Sequence, residues 1–173
     1  AGRAFCAGQD KRESAAMDAQ GAEKRIADYA RLYDGMRRTE KPIIARVQGY
    51  AAGAGLQLAL LSDLRIAART MKLGMTELRV GSAAILGSAL LRAVAGEAAM
   101  KRMVLMADFI LAEQALALNI VHEVVDDDRL DGRVQEVADT LAKNPPTATR
   151  LTKAWWRQMS EEQFAQAVEE ANR

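Results

Sequence analysis

Two short glycine-bearing segments are the places where this chain could hold negative charge with its backbone. One is Phe5-Cys6-Ala7-Gly8-Gln9-Asp10, and the other is Gly49-Tyr50-Ala51-Ala52-Gly53-Ala54-Gly55-Leu56-Gln57. The second reads as a strand, a glycine turn and the first turn of a buried helix. Helix starts carry unpaired N–H groups and the positive end of the helix dipole, which suits an anion or an oxygen that becomes one during reaction. Glycine and alanine keep side chains clear of a ligand approaching that backbone. Taken alone, either segment is explained better by tight strand–helix packing. Glu77, in Leu73-Gly74-Met75-Thr76-Glu77, has apolar loop neighbours in Leu73, Met75, Leu78 and Val80, and their desolvation predicts a raised carboxyl pKa.

The remaining reactive residues exclude several chemistries. His122 is the single histidine, which argues against a Ser-His-Asp triad or a histidine-based metal site, and no metal is expected. Cys6 is the single cysteine and has no evident base, so it reads as a small buried apolar group in a reducing compartment. Asp63 reads as structural, Asp10 as a helix cap, and Trp155 and Trp156 as packing or subunit contacts. Lys and Arg total 24 against 23 for Asp and Glu, so no net charge draws the chain to nucleic acid or an anionic membrane. No apolar run is long enough to span a bilayer, and no signal peptide is visible. The expected setting is cytoplasmic.

These residues must be held by an alternation of strands and helices. Apolar positions at Ile26, Tyr29, Ala30, Leu32, Tyr33 and Met36 predict an amphipathic helix within residues 11–40, ended by Pro42. Residues 43–47 are a β-branched strand closing at Gly49, and residues 56–61 a helix buried on every side. Short strands are expected at 63–67, 71–73 and 120–125, and helices at 83–106, 112–118, 130–143 and from 147 to 159. Asn119 sits where a helix end wants a left-handed residue. The pattern is α/β, with a core over residues 1–125 and a helical C-terminal region over 126–173.

In order along the chain come F-C-A-G-x-D, K-P-I-I-A-x-V-x-G-Y-A-x-G-x-G, S-D-L-R-I-A and L-G-x-x-E, then Ala112-Glu113-Gln114-Ala115-Leu116 and Ile120-Val121-His122-Glu123-Val124-Val125. This series resembles the crotonase (enoyl-CoA hydratase/isomerase) family over nearly the whole length. The resemblance implies a crotonase-like spiral of ββα units with a helical C-terminal trimerisation region, assembled as a homotrimer or dimer of trimers. It implies an acyl-CoA thioester substrate and no cofactor beyond the coenzyme A of that substrate. It also implies an oxyanion hole from the backbone N–H groups of Gln9 and Ala54, bordered by Ala7, Gly8, Gly53 and Gly55, with Lys153 near the CoA phosphates. Leu111 stands where the family often has a capping serine, so a weaker helix start is expected there. The chain is expected to be a piece of a longer one, extended before Ala1 and briefly past Arg173.

Hydratases of the family use two carboxylates. Glu77 matches the loop carboxylate, but Gln57 stands at the helix position, and an amide cannot take a proton from water. The proline–glycine stretch that helps hold water is replaced by Ala83-Ala84-Ile85-Leu86-Gly87-Ser88. The resemblance therefore implies that Glu77 shifts a double bond from the 3- to the 2-position. A hydratase that uses Gln57 to place water, and a catalytically silent acyl-CoA binder, are the alternatives.

Overall fold

The computed structural model describes residues 2–10, 12–13 and 16–173. Helix α1, Ala19–Arg38, starts where the Asp18 carboxylate accepts the Gly21 N–H at 2.8 Å. It is shorter than the stretch read from the sequence, of which Lys11, Ser14 and Ala15 lie outside the described residues. Arg37 and Arg38 complement the dipole in its last turn.

Strands β1 (Ile44–Val47) and β2 (Tyr50–Ala52) follow and are separated by Gly49 at φ 60°. Then come α2 (Ala54–Leu61), β3 (Leu64–Ala68), β4 (Lys72–Gly74) and a 3-10 turn at Glu77–Val80. Helix α3 is Ile85–Met106, β5 Ile110–Leu111, α4 Ala112–Ala117 and β6 Glu123–Val125. A second 3-10 turn, Asp127–Arg129, leads into α5 (Leu130–Leu141), α6 (Pro146–Met159) and α7 (Glu161–Ala171). Two consecutive strands and a helix repeat, and each repeat adds one strand to each of two sheets. One sheet is parallel, in the order β1-β3-β6; in the other β2 and β4 are parallel and β5 is antiparallel. Among the described residues no helix is long and apolar enough to cross a membrane.

The main core fills with α2 and the inward faces of both sheets: Val47, Ala51, Leu56, Leu73, Met75, Leu91 and Ile110 are fully or almost fully buried. A second cluster joins α1 to the C-terminal helices, with Tyr33, Leu86 and Ala167 packed by Leu58, Phe164 and Val168. That cluster presses α1 over the start of α2, which fixes the site described below.

Two local readings need correction. The strand expected at 120–125 is confined to Glu123–Val125, because the Ile120 N–H is used by the preceding helix. It donates to Ala115 O at 2.9 Å while the Asn119 N–H donates to Leu116 O at 2.9 Å. With Asn119 at φ 58°, this is a complete Schellman end, and the left-handed residue falls where the sequence places it. Helix α3 is broken at Gly96, whose φ of 83° interrupts a run read as continuous. At the start of α4 Leu111 offers no side-chain cap to the first-turn N–H groups, and Gln114 Oε1 accepts the N–H of Leu111 itself at 3.0 Å.

Arg65 closes the far end of α2 from inside the protein. It is 5 % exposed; Nε donates to Ile120 O at 2.6 Å and Nη1 to Ser62 O at 2.5 Å, with Ala59 O and Leu60 O each at 3.3 Å. Burial lowers its pKa to about 10, still far above neutrality, and nearby Asp63 opposes the shift. Arg65→Met is expected to leave these carbonyls without their charged donor and cost about 3 kcal/mol. The shift in urea midpoint measures it.

Candidate active site

The first glycine segment runs beside the second as an extra strand. Phe5 N–H donates to Gln48 O at 2.8 Å, Cys6 N–H to Tyr50 O at 3.1 Å, and Ala52 N–H back to Cys6 O at 3.0 Å. Beyond the strand the two segments touch through glycine. A Cβ on Gly55 would lie 2.1 Å from Cys6 O, so no other residue fits there without moving that strand. One on Gly8 would lie 2.8 Å from Ala52 O and 3.8 Å from the Ala54 nitrogen. Gly53 makes the turn into α2 at φ 51°, ψ −122°. Ala54 opens the helix, and its N–H, like that of Gln9, donates to no described residue. The Gln9 side chain is tied down, since its Oε1 accepts from Arg25 Nη1 of α1 at 2.8 Å. Ala7 is exposed at the rim.

Glu77 lies against this same turn: a Cβ on Gly53 would be 3.7 Å from its Oε1 and 4.0 Å from its Oε2. Burial raises the Glu77 pKa above the ordinary carboxyl value, while its own backbone N–H and Gln57 pull it partly back. The apolar surround is not the one read from the sequence. Leu73 and Met75 are buried, but Leu78 and Val80 face solvent, because the 3-10 turn rotates them outward.

Gln57 is 8 % exposed and spends both ends of its amide inside the protein. Its Nε2 donates to Glu77 Oε1 at 2.8 Å, and its Oε1 accepts the hydroxyl of Tyr33 at 2.8 Å. Glu77 Oε2 is buried and has no hydrogen-bond partner among the described residues. The site thus holds one carboxylate with one oxygen anchored and one free, beside a helix-start N–H. That arrangement can take up a proton next to an oxygen acquiring negative charge.

A family model described as enoyl-CoA hydratase/isomerase matches residues 1–173. The chain belongs to that family. It is 37% identical over 153 residues to an (E)-benzylidenesuccinyl-CoA hydratase from Thauera aromatica, covering 87% of this chain and 59% of that protein. It is also 37% identical over 158 residues to a 1,2-epoxyphenylacetyl-CoA isomerase from Escherichia coli K12, covering 88% and 60%. Among solved structures, an enoyl-CoA hydratase from Mycobacterium smegmatis superposes with a TM-score of 0.88 at 28% identity, covering 99% of this chain and 68% of that one. The chain therefore has the crotonase fold and spans about three fifths of the length of the curated relatives it matches.

Gly8 lies beside the Ala54 nitrogen, and Gly53, Gln57 and Glu77 meet next to it, with Gln9 following Gly8 in the chain and Gly55 packed on Cys6; Lys153 is held elsewhere. Its side chain is 9 % exposed and its ammonium donates to Asp63 Oδ2 at 2.5 Å, an oxygen that also accepts the Ile43 N–H at 2.6 Å. The lysine is committed to an internal ion pair linking α6 to the β1–β3 edge, not held out toward a phosphate. His122 is structural too: its Nδ1 accepts the Arg65 N–H at 3.1 Å, and burial lowers its pKa. The residues missed from the sequence are Arg25 and the hydroxyl of Tyr33. Tyr33 was readable as an apolar position of α1, but a wholly buried phenol also needs an acceptor.

Proposed function

We propose that this protein shifts the double bond of an enoyl-CoA thioester from the 3- to the 2-position. The observation that carries this reading is that the second carboxylate position holds an amide whose N–H is already bonded to Glu77. Glu77 Oε2 removes a proton from C2 of the 3-enoyl thioester, and the C2–H electron pair becomes the C1–C2 double bond of a dienolate. The thioester oxygen takes the charge and is held by the Gln9 and Ala54 N–H groups, each worth roughly 3 kcal/mol in the transition state. The protonated Glu77 then returns its proton at C4, and the conjugated 2-enoyl thioester leaves with no net change in atoms.

Hydration is the competing reaction, since the T. aromatica relative is named a hydratase. Hydration by the family's two-carboxylate route needs one group to take a proton from water and another to supply one at C2, and with Gln57 able to do neither, Glu77 is left to do both. The exposed apolar residues Leu151, Trp155, Trp156 and Met159 of α6 support assembly into trimers or dimers of trimers, as part of the same proposal.

Gln57→Glu tests the reading. Hydration of a 2-enoyl-CoA, followed as loss of the conjugated thioester absorbance, is expected to rise above the wild-type level. Isomerisation of 3-enoyl-CoA is expected to fall, because two carboxyls 2.8 Å apart cannot both be ionised at low cost. Wild-type hydration of 2-enoyl-CoA at ordinary enzyme rates contradicts the reading.

A further inference from the structure

Tyr33 is 0 % exposed and lies near the C-terminal end of α1, and its hydroxyl makes one hydrogen bond among the described residues, to Gln57 Oε1 at 2.8 Å. A buried phenol proton with no acceptor costs a large share of a hydrogen bond, and the only acceptor this one has among the described residues is that oxygen. The Gln57 amide has two orientations that differ by exchange of O and N. In the orientation present, the oxygen faces the phenol and the N–H faces Glu77. In the other, the phenol proton loses its acceptor and the amide oxygen faces a carboxylate oxygen. Tyr33 therefore penalises the flipped amide from the side opposite to the reacting groups. Its own position is set by packing: Tyr29 stacks on it at 5.7 Å, and Leu58, Leu61 and Leu86 surround the pair.

We propose that Tyr33 is a positioning residue that acts on Glu77 through Gln57: its hydroxyl fixes the amide so that an N–H, and not an oxygen, meets the Glu77 carboxylate. This rests on Glu77 being the base of the proposed reaction. Two consequences follow for the chemistry. One Glu77 oxygen is pinned and the other is left to face the substrate, so the base has one defined direction of attack. The N–H also offsets part of the burial that raises the Glu77 pKa, which helps keep a buried carboxylate available as a base. Among the described residues, the titratable groups coupled to this cluster include Tyr29 and Tyr33 of α1 and Cys6 of the first glycine segment; burial raises both phenols, so they stay neutral where a carboxyl titrates.

The test uses the full-length protein with carboxyl-labelled glutamate and follows the Glu77 resonance by NMR as pH changes, the signal being assigned by its loss in Glu77→Gln. In Tyr33→Phe, which removes one oxygen and keeps the ring, the Glu77 midpoint is expected to rise by about one pH unit, the size of one charged hydrogen bond. Gln57→Met is expected to raise it similarly, and Tyr33→Phe added to Gln57→Met is expected to move it no further, because the phenol acts only through the amide. In kinetics with 3-enoyl-CoA, Tyr33→Phe is expected to lower kcat about tenfold with KM little changed, and to move the acid limb of the pH profile upward with the NMR midpoint. A Tyr33→Phe protein that melts earlier but keeps its Glu77 midpoint, or shifts that add fully in the double variant, overturns the proposal. The NMR titration needs no turnover. A shifted midpoint in a protein that does not isomerise 3-enoyl-CoA upholds the positioning role and removes the isomerase reading instead.

Discussion

Glu77→Gln is expected to lower turnover of 3-enoyl-CoA by at least about a hundredfold while leaving affinity for the CoA ester close to that of wild type. The substitution is nearly isosteric and keeps an oxygen for the Gln57 N–H, so the 3-10 turn and the neighbouring Gly53 turn have no reason to move. What it removes is the one group in the site that can take a proton from C2. Stability gives a second readout of opposite sign. Burial raises the Glu77 pKa, so the folded state holds this proton more tightly than the unfolded chain does. The ionised carboxylate then opposes folding at neutral pH, and that cost fades as pH falls through the folded pKa toward the unfolded one. The glutamine variant is expected to be the more stable protein at neutral pH, with the advantage shrinking on acidification. Retention of most activity would assign the base to another residue.

Ala54→Pro is the second large effect. Proline is tolerated in the first turn of a helix, where its missing N–H has no intrahelical acceptor. The Ala54 N–H has no acceptor among the described residues, and Gly53 before it, at φ 51° and ψ −122°, is outside the helical conformation that a following proline excludes. The fold therefore loses little while the proposed oxyanion site loses one of two donors. Loss of one such donor typically costs about 10²–10³ in turnover. The expected result is a melting temperature near that of wild type, measured by circular dichroism, with activity reduced to that extent. A fully active proline variant would mean that the thioester oxygen is held elsewhere.

How far the chain was legible depended on whether a feature is local. The two glycine segments were, because Gly8, Gly53 and Gly55 are demanded by turn conformation and by backbone contact, and such demands leave the same residues at the same spacing. Asn119 was legible for the same reason, since a Schellman end is decided within six residues. The strand at 120–125 was over-read because an apolar run says only that Ile120 and Val121 are buried, not whether their N–H groups serve a sheet or a helix end. Side-chain pairs set by packing were not legible at all. Lys153 and Asp63 are 90 residues apart, and the meeting of Tyr33 with Gln57 depends on α1 being pressed onto α2 by the C-terminal helices. Glu77 was picked out through the family resemblance, yet its surroundings were misjudged, since Leu78 and Val80 turn outward and its carboxyl meets the Gly53 turn and the Gln57 amide.

The most direct measurement of the central claim is a crystal structure of the full-length protein with a non-reactive acyl-CoA thioester bound. The expected complex has the thioester oxygen about 2.7–3.1 Å from both the Gln9 and Ala54 nitrogens. It also has C2 facing Glu77 Oε2, with Gln57 still bridging Tyr33 and Glu77. A thioester whose oxygen meets neither N–H, or whose C2 points away from Glu77, would contradict the account.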